Sequence, residues 1–272
     1  MPTYKLIISY DGSKYAGWQT QVSRRSSGVS HQKKTKPQLK TIQQEIELAL
    51  KKLFQKNITI EGSGRTDSGV HAIAQVAHFK TDRFIEAEKL KIAINGILPR
   101  DIVVIDAKKA RDGFHARFKA LAKTYRYVII NTATRPLFLS QYGYWVRFPL
   151  NISLMRKEAR CLEGKHNFKS FQASEKALRS PMATINGICV RKCSPSDTFP
   201  FLKGMDLVLI DIEAKGFLRG MVRNIAGTLC DIGRGRLPKG SLKNILAKKD
   251  RRAAGLCAPA QGLYLLKVDY DE

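Results

Sequence analysis

Residues 62–72 read Gly62-Ser-Gly-Arg-Thr-Asp-Ser-Gly-Val-His-Ala72, a loop set between two strand-like stretches. Gly62, Gly64 and Gly69 flank Arg65-Thr-Asp67 and permit backbone conformations that residues bearing a Cβ avoid. A loop of this kind brings its backbone close to a ligand and holds one carboxylate in a fixed pose. Arg65 is close in sequence to Asp67, and a neighbouring cation favours the ionised carboxylate, the form a nucleophile must have. The same residues also suit a tight strand-to-strand turn with an exposed ion pair, since glycine-flanked aspartate is common in turns. A phosphate-binding P-loop is excluded by the missing Gly-Lys-Ser/Thr ending.

Outward from the loop, the chain alternates strands and helices. Tyr4, Leu6, Ile8 and Tyr10 alternate with Lys5, Ile7 and Ser9, which predicts a strand over 3–10 with one buried face; Asp11-Gly12 then predicts a turn. Residues 21–40 hold six Lys or Arg, no Asp or Glu, and several Ser, the composition of a flexible basic loop. Thr41-Ile-Gln-Gln44 fits a capping box, with Ile42, Ile46, Leu50 and Leu53 following at helical spacing. A strand near 58–62 leads into the glycine-rich loop and another is expected at 72–80. Leu90, Ile94 and Leu98 suggest a helix, followed by a strand at 102–109. Further strands are expected at 122–130, 141–148, 185–193, 206–214 and 262–269, and helices at 153–163, 217–231 and 240–248. Rossmann-style βαβ regularity is missing and the strands are rich in tyrosine, which favours an antiparallel α+β fold. A boundary near 110 divides the chain into 1–110, carrying the loop, and 111–272, each with its own sheet and helices.

Charge narrows the partner. Lys and Arg total 48 against 23 Asp and Glu, a formal +25 in 272 residues. A solvated basic surface would account for this, but so would a polyanionic partner, because neutralising phosphates releases condensed counterions. The basic residues are scattered, not gathered on one amphipathic helix, which argues against membrane-surface binding. Apolar runs are short and interrupted by charge, so no segment is expected to span a bilayer, and the first ten residues lack the features of a secretory signal. Five cysteines at irregular spacing suggest reduced thiols in a cytoplasmic protein. Cys189 and Cys193 are close together, but no second ligand pair stands nearby to complete a structural zinc site.

The eleven residues 62–72 resemble the signature of the TruA family of tRNA pseudouridine synthases, usually met with alanine where Ser63 and Ser68 stand. Other segments resemble the same family in the same order. Tyr10-Asp-Gly12 with Tyr15-Ala-Gly-Trp-Gln19 matches its opening strand and turn, Tyr15 replacing the more usual phenylalanine. Lys123-Thr-Tyr-Arg-Tyr127 matches the strand bearing the active-site tyrosine, here Tyr125. Glu163-Gly-Lys-His-Asn-Phe-Lys-Ser-Phe171 has Asn167 in place of an acid. Gly216-Phe-Leu-Arg-Gly-Met-Val-Arg-Asn-Ile225 matches the helix with the second active-site arginine, Arg223; Gly220 stands where histidine or asparagine is common. Ala258-Pro-Ala-Gln-Gly-Leu-Tyr-Leu265 matches the closing strand, whose Leu263 lines the uracil pocket. The resemblance covers nearly the whole chain except the basic stretch 21–40. By position alone, Tyr125 would be an ordinary sheet-face tyrosine and Arg223 a surface arginine; the ordered set of segments overturns those readings.

The resemblance implies the pseudouridine synthase fold: two similar α+β halves with antiparallel sheets flanked by helices and an RNA-binding cleft between them. It implies isomerisation of uridine to pseudouridine at positions 38, 39 and 40 of the tRNA anticodon stem-loop, with no cofactor and no metal. Asp67 would be the nucleophile, adding to C6, attacking C1′, or taking a 2′ proton on a glycal route. Arg65 would fill the space left by the flipped base, Tyr125 would stack on the uracil and help remove the C5 proton, and Leu263 would form an apolar wall. Arg223 would pair with Asp67, a role suited to its planar fork. His71 is expected to support the loop. Arg24, Arg25, Lys33, Lys34 and Lys36 are possible RNA contacts, although a solubilising loop fits them equally. The partners implied are tRNA and a second copy of the chain. Competing readings are a synthase of this family acting on other positions, and an RNA-binding protein without catalysis, which would be expected to lack parts of the set Arg65, Asp67, Tyr125 and Arg223. A glycosidase would need a second, suitably spaced carboxylate, for which no motif is present.

Overall fold

The computed structural model describes residues 1–19, 39–173, 180–193 and 205–271. The chain divides into two compact units, Met1–Phe118 and Lys119–Glu272.

In the first unit β1 (Thr3–Tyr10) is the central strand. It pairs antiparallel with β3 (His71–Lys80) on one side and with β4 (Ile102–Lys109) on the other; β2 (Glu61–Gly62) pairs with the far edge of β3. The expected alternation holds: Tyr4, Leu6, Ile8 and Tyr10 are buried on one face. Tyr4 stacks on Phe79, and Phe54, the last residue of α1 (Ile42–Phe54), meets Phe79 edge-on. Thr41 caps α1 by accepting the Gln44 N–H at 3.2 Å, so the capping-box reading describes a real N-terminus. α2 (Ala87–Asn95) stops short of the Leu98 periodicity, because Pro99 disfavours helical geometry in the residue before it. Asn95 then pairs with the edge strand as a backbone unit would, donating to the Val104 carbonyl and accepting the Val104 N–H. Residues 111–118 fold with this unit: the Ala116 N–H reaches His78 Nδ1 and Lys5 lies over the Phe114 ring.

In the second unit β5 (Ala120–Asn131) is the long central strand, flanked antiparallel by β10 (Leu263–Tyr270) and β9 (Asp206–Ala214). β9 carries β8 (Met182–Cys193), and β8 carries the edge strand β7 (Gly164–Asn167). Among the described residues its α-helices are α3 (Ile152–Ala159), α4 (Met221–Gly233) and α5 (Ser241–Lys248). Both units are therefore α+β with antiparallel sheets, apart from the short parallel strand β6 (Tyr144–Val146) beside β5. The strand expected over 141–148 shrinks to β6 because the Asn131 side-chain amide binds the Val146 and Phe148 carbonyls, standing in for ladder partners. α3 tightens into a 3-10 turn at Arg160–Leu162. β7 escapes the sequence reading because a short edge strand, exposed or half-buried throughout, shows no alternation.

Candidate active site

Most residues of the loop in the first unit are anchored. The Ser63 N–H donates to the Val76 carbonyl at 2.7 Å, and the Ser63 hydroxyl donates to Gln75 Oε1 at 2.6 Å. Gln75, fully buried on β3, turns its amide N–H to the Gly64 carbonyl at 3.0 Å. Thr66 is buried; its hydroxyl lies 2.8 Å from the Tyr10 hydroxyl and its carbonyl accepts the Trp18 N–H at 3.2 Å. The Asp67 carbonyl closes a turn by accepting the Val70 N–H. Ser68 donates its hydroxyl to the Tyr15 carbonyl at 3.0 Å. The segment 15–18 thus lies along the loop, so closely that a Cβ on Gly17 would overlap the Thr66 carbonyl oxygen. Gly17 also has φ +102°, which a side-chain-bearing residue rarely adopts.

Asp67 is half-buried at the centre of this anchored stretch, and Arg65 is exposed with its Nε bonded to Gln19 Oε1 at 3.0 Å. His71 is buried at the loop's end; its Nδ1 accepts the Gly12 N–H and stands 3.1 Å from Asp11 Oδ1, tying the loop to the turn after β1. Burial pushes the Tyr10 phenol up, so its hydroxyl stays neutral beside Thr66. Burial also raises the Tyr15 phenol, and its bond to Asp101, 2.6 Å, adds to the effect.

Tyr125, Arg223 and Leu263 belong to the second unit. Tyr125 is buried on β5 and meets Phe217 edge-on, ring centroids 5.0 Å apart. The β5–β10 register pairs Tyr125 with Leu265 and Tyr127 with Leu263, so Tyr125 and buried Leu263 share one sheet face. α4 packs against β5, and Arg223 is its only residue that is not buried. A surface arginine on an amphipathic helix would have many exposed neighbours; this one has none on its own helix. Its Nε donates to the Ala258 carbonyl at 2.8 Å, and the Ala258 N–H returns to the Arg223 carbonyl at 3.1 Å. Burial pushes the Tyr127 phenol up, and the charge of Arg223 opposes that rise.

Positions that depart from the family's usual residues each have a local account. Gly220, the N-cap of α4, has φ +68°, a region open to glycine and, among other residues, most readily to asparagine and histidine. Asn167 accepts the Lys169 N–H through Oδ1 at 3.0 Å, as an aspartate would. The two loop serines and the Tyr15 hydroxyl have the acceptors given above. Gln75, Phe217 and the hydroxyl contact of Tyr10 were missed by the sequence reading; the available signal was a glutamine amid the apolar residues of β3. Arg24, Arg25, Lys33, Lys34 and Lys36 lie outside the described residues.

Among the described residues Glu61, His78 and His115 gather closely enough to invite a metal. The ring nitrogens argue otherwise. Nδ1 of His78 accepts the Ala116 N–H and Nδ1 of His115 accepts the Arg117 N–H, which places the neutral ring's proton on Nε2 in both. His115 Nε2 then faces Glu61 Oε2 at 3.3 Å as a donor, whereas a metal-ligating imidazole offers a lone pair there. Among the described residues no helix is long and apolar enough to cross a membrane.

A family model described as tRNA pseudouridine synthase matches residues 6–119 and 159–271. The chain is 39% identical over 270 residues to a tRNA pseudouridine synthase A of Thermoanaerobacter sp. (strain X514), covering 99% of this chain and 100% of that protein. A protein of the same name from Ruminiclostridium cellulolyticum is 38% identical over 270 residues, covering 99% and 100%. One from Legionella pneumophila (strain Lens) is 38% identical over 265 residues, covering 97% and 91%.

Proposed function

Because this chain belongs to the tRNA pseudouridine synthase family and is an isomerase acting on tRNA, we propose that it converts uridine to pseudouridine at positions 38, 39 and 40 of the anticodon stem-loop. The reaction breaks the bond between N1 of uracil and C1′ of ribose, rotates the base and rejoins it through C5. No atom is gained or lost and nothing is oxidised, so amino-acid side chains suffice for the chemistry.

The observation that carries the reading is Asp67, half-buried in a loop whose backbone is tied on both sides. An enzyme gains most from a nucleophile already held in its reacting pose. Asp67 is the nucleophile, by addition to C6, attack on C1′, or removal of the 2′ proton. Exposed Arg65 occupies the space that the flipped base leaves, offsetting an unstacking cost of about a few kcal/mol. Tyr125 supplies a ring for the uracil to stack on and a hydroxyl for the C5 proton, and Leu263 an apolar wall. Arg223 supplies a planar cation that keeps a carboxylate ionised. The formal +25 suits recognition of tRNA by shape and backbone. The reading extends to a cytoplasmic homodimer, checked by sedimentation with and without tRNA.

Mapping pseudouridine in tRNA from cells with and without the protein tests the target. Loss confined to positions 38, 39 and 40 is expected; loss at other positions would move the target elsewhere, and an unchanged map would sink the proposal. Purified Asp67→Ala protein is expected to form no pseudouridine, and near-normal activity would remove Asp67 from its role.

A further inference from the structure

Between β1, β3 and the loop lies a buried polar chain that the roles assigned so far leave unused. The Tyr10 hydroxyl meets the Thr66 hydroxyl at 2.8 Å and lies beside the Gln75 side chain. Gln75 holds the Ser63 hydroxyl at 2.6 Å and the Gly64 carbonyl at 3.0 Å. Tyr10, Ser63, Thr66 and Gln75 are all buried. Buried polar groups carry a desolvation penalty, and a wholly apolar packing would hold a turn as well, so stability alone does not call for this chain. Its contacts fall on Ser63, Gly64 and Thr66, the last directly before Asp67, and it leaves Arg65 exposed.

We infer that Tyr10 and Gln75 are positioning residues for the isomerisation: Tyr10 sets Asp67 through the Thr66 hydroxyl, and Gln75 sets the Arg65 backbone through Ser63 and Gly64. The inference rests on the functional reading above, with Asp67 as nucleophile. Neither residue touches substrate. Tyr10 limits the arc over which the Asp67 carboxylate swings and Gln75 that of Arg65, and a misplacement of about 1 Å can cost up to about a hundredfold in rate.

Tyr10→Phe removes one oxygen and keeps the ring, and Thr66→Val removes its partner while keeping the shape. The expected result for each is a fall in kcat of about tenfold or more, with KM for tRNA close to wild type and Tm lowered only by the loss of one buried hydrogen bond. The double variant is expected to be no slower than the slower single one, because both remove the same restraint. Thr66→Ser, which restores a hydroxyl, is expected to recover most of the rate. Gln75→Met, which removes both the donor to the Gly64 carbonyl and the acceptor of the Ser63 hydroxyl at similar volume, is expected to lower kcat in the same way. If Tyr10→Phe and Thr66→Val keep kcat within twofold while Asp67→Ala is inactive, the positioning role is wrong and the functional reading stands. A fall in Tm that fully accounts for the lost activity would likewise reduce the chain to a structural one. A wild-type protein that forms no pseudouridine overturns the functional reading and this inference together.

Discussion

Arg223 spends Nε, the nitrogen nearest its stem, on the Ala258 carbonyl, which fixes the plane of the whole guanidinium. Lysine has one terminal amine and cannot both hold that carbonyl and present a fork. Arg223→Lys is therefore expected to lower kcat at least about tenfold while reducing stability by only about 1 kcal/mol, the worth of one hydrogen bond. Steady-state kinetics and a urea midpoint on the same preparation separate the two effects. His78 offers a different residue-scale test. Burial and the neighbouring His115 hold its imidazole below the ordinary value of 6.5, so the unfolded chain takes up this proton at higher pH than the folded one. Stability from neutral His78 is fully present above 6.5 and is lost as pH falls toward the folded value. Tm should drop as pH falls through that window, and His78→Asn, whose amide oxygen can accept the Ala116 N–H, should flatten this part of the profile. An unchanged profile would mean that His78 titrates alike in both states.

At the scale of elements, α4 departs furthest from the usual amphipathic helix. Gly227 stands where the chain around Leu256 crosses the helix, and a Cβ there would overlap the Leu256 carbonyl oxygen. In an open helix Gly→Ala stabilises by about 1 kcal/mol. Here the sign is expected to reverse, with Gly227→Ala losing about 1–3 kcal/mol by overpacking. Because Ala258 follows closely on this crossing, the same variant should reduce the activity of the folded fraction as well. Denaturant midpoints and kcat on the folded protein read the two parts. This close crossing was illegible in the sequence, since it depends on a partner some thirty positions away. What was legible was local: the alternation of β1, the Thr41 cap, the glycines around Asp67. Phe217 and Leu218 fit an apolar helical pattern and extend the expected helix back to 217, whereas left-handed Gly220 sets the first turn of α4 at Met221. Gln75 was likewise hidden, because a lone polar residue in a strand does not announce which backbone it will hold.

For the molecule as a whole, the charge of +25 predicts that tRNA affinity falls steeply as salt rises. Replacing Arg24, Arg25, Lys33, Lys34 and Lys36 with glutamine tests whether that stretch shares in the binding. Each residue that meets a phosphate should flatten the slope of log K against log salt by roughly 0.7–0.9. Pseudouridine formation at saturating tRNA should stay near wild type, because the substituted residues belong to binding and not to the reaction. A slope unchanged by all five substitutions would assign the stretch no part in holding tRNA.

The protein has two tryptophans, and one of them is an optical reporter already packed against the loop 62–72. Trp18 is 2% exposed and its ring lies 2.6 Å from where a side chain on Gly62 would begin, while the backbone N–H of the same residue donates to the Thr66 carbonyl. Trp145, half-buried and bonded to the Thr132 carbonyl, can be replaced by phenylalanine at a distance in sequence from these residues. The remaining emission comes from a single indole pressed against the segment that carries Asp67. Stopped-flow fluorescence on that variant can therefore time any movement of the loop as tRNA arrives, without attaching a dye.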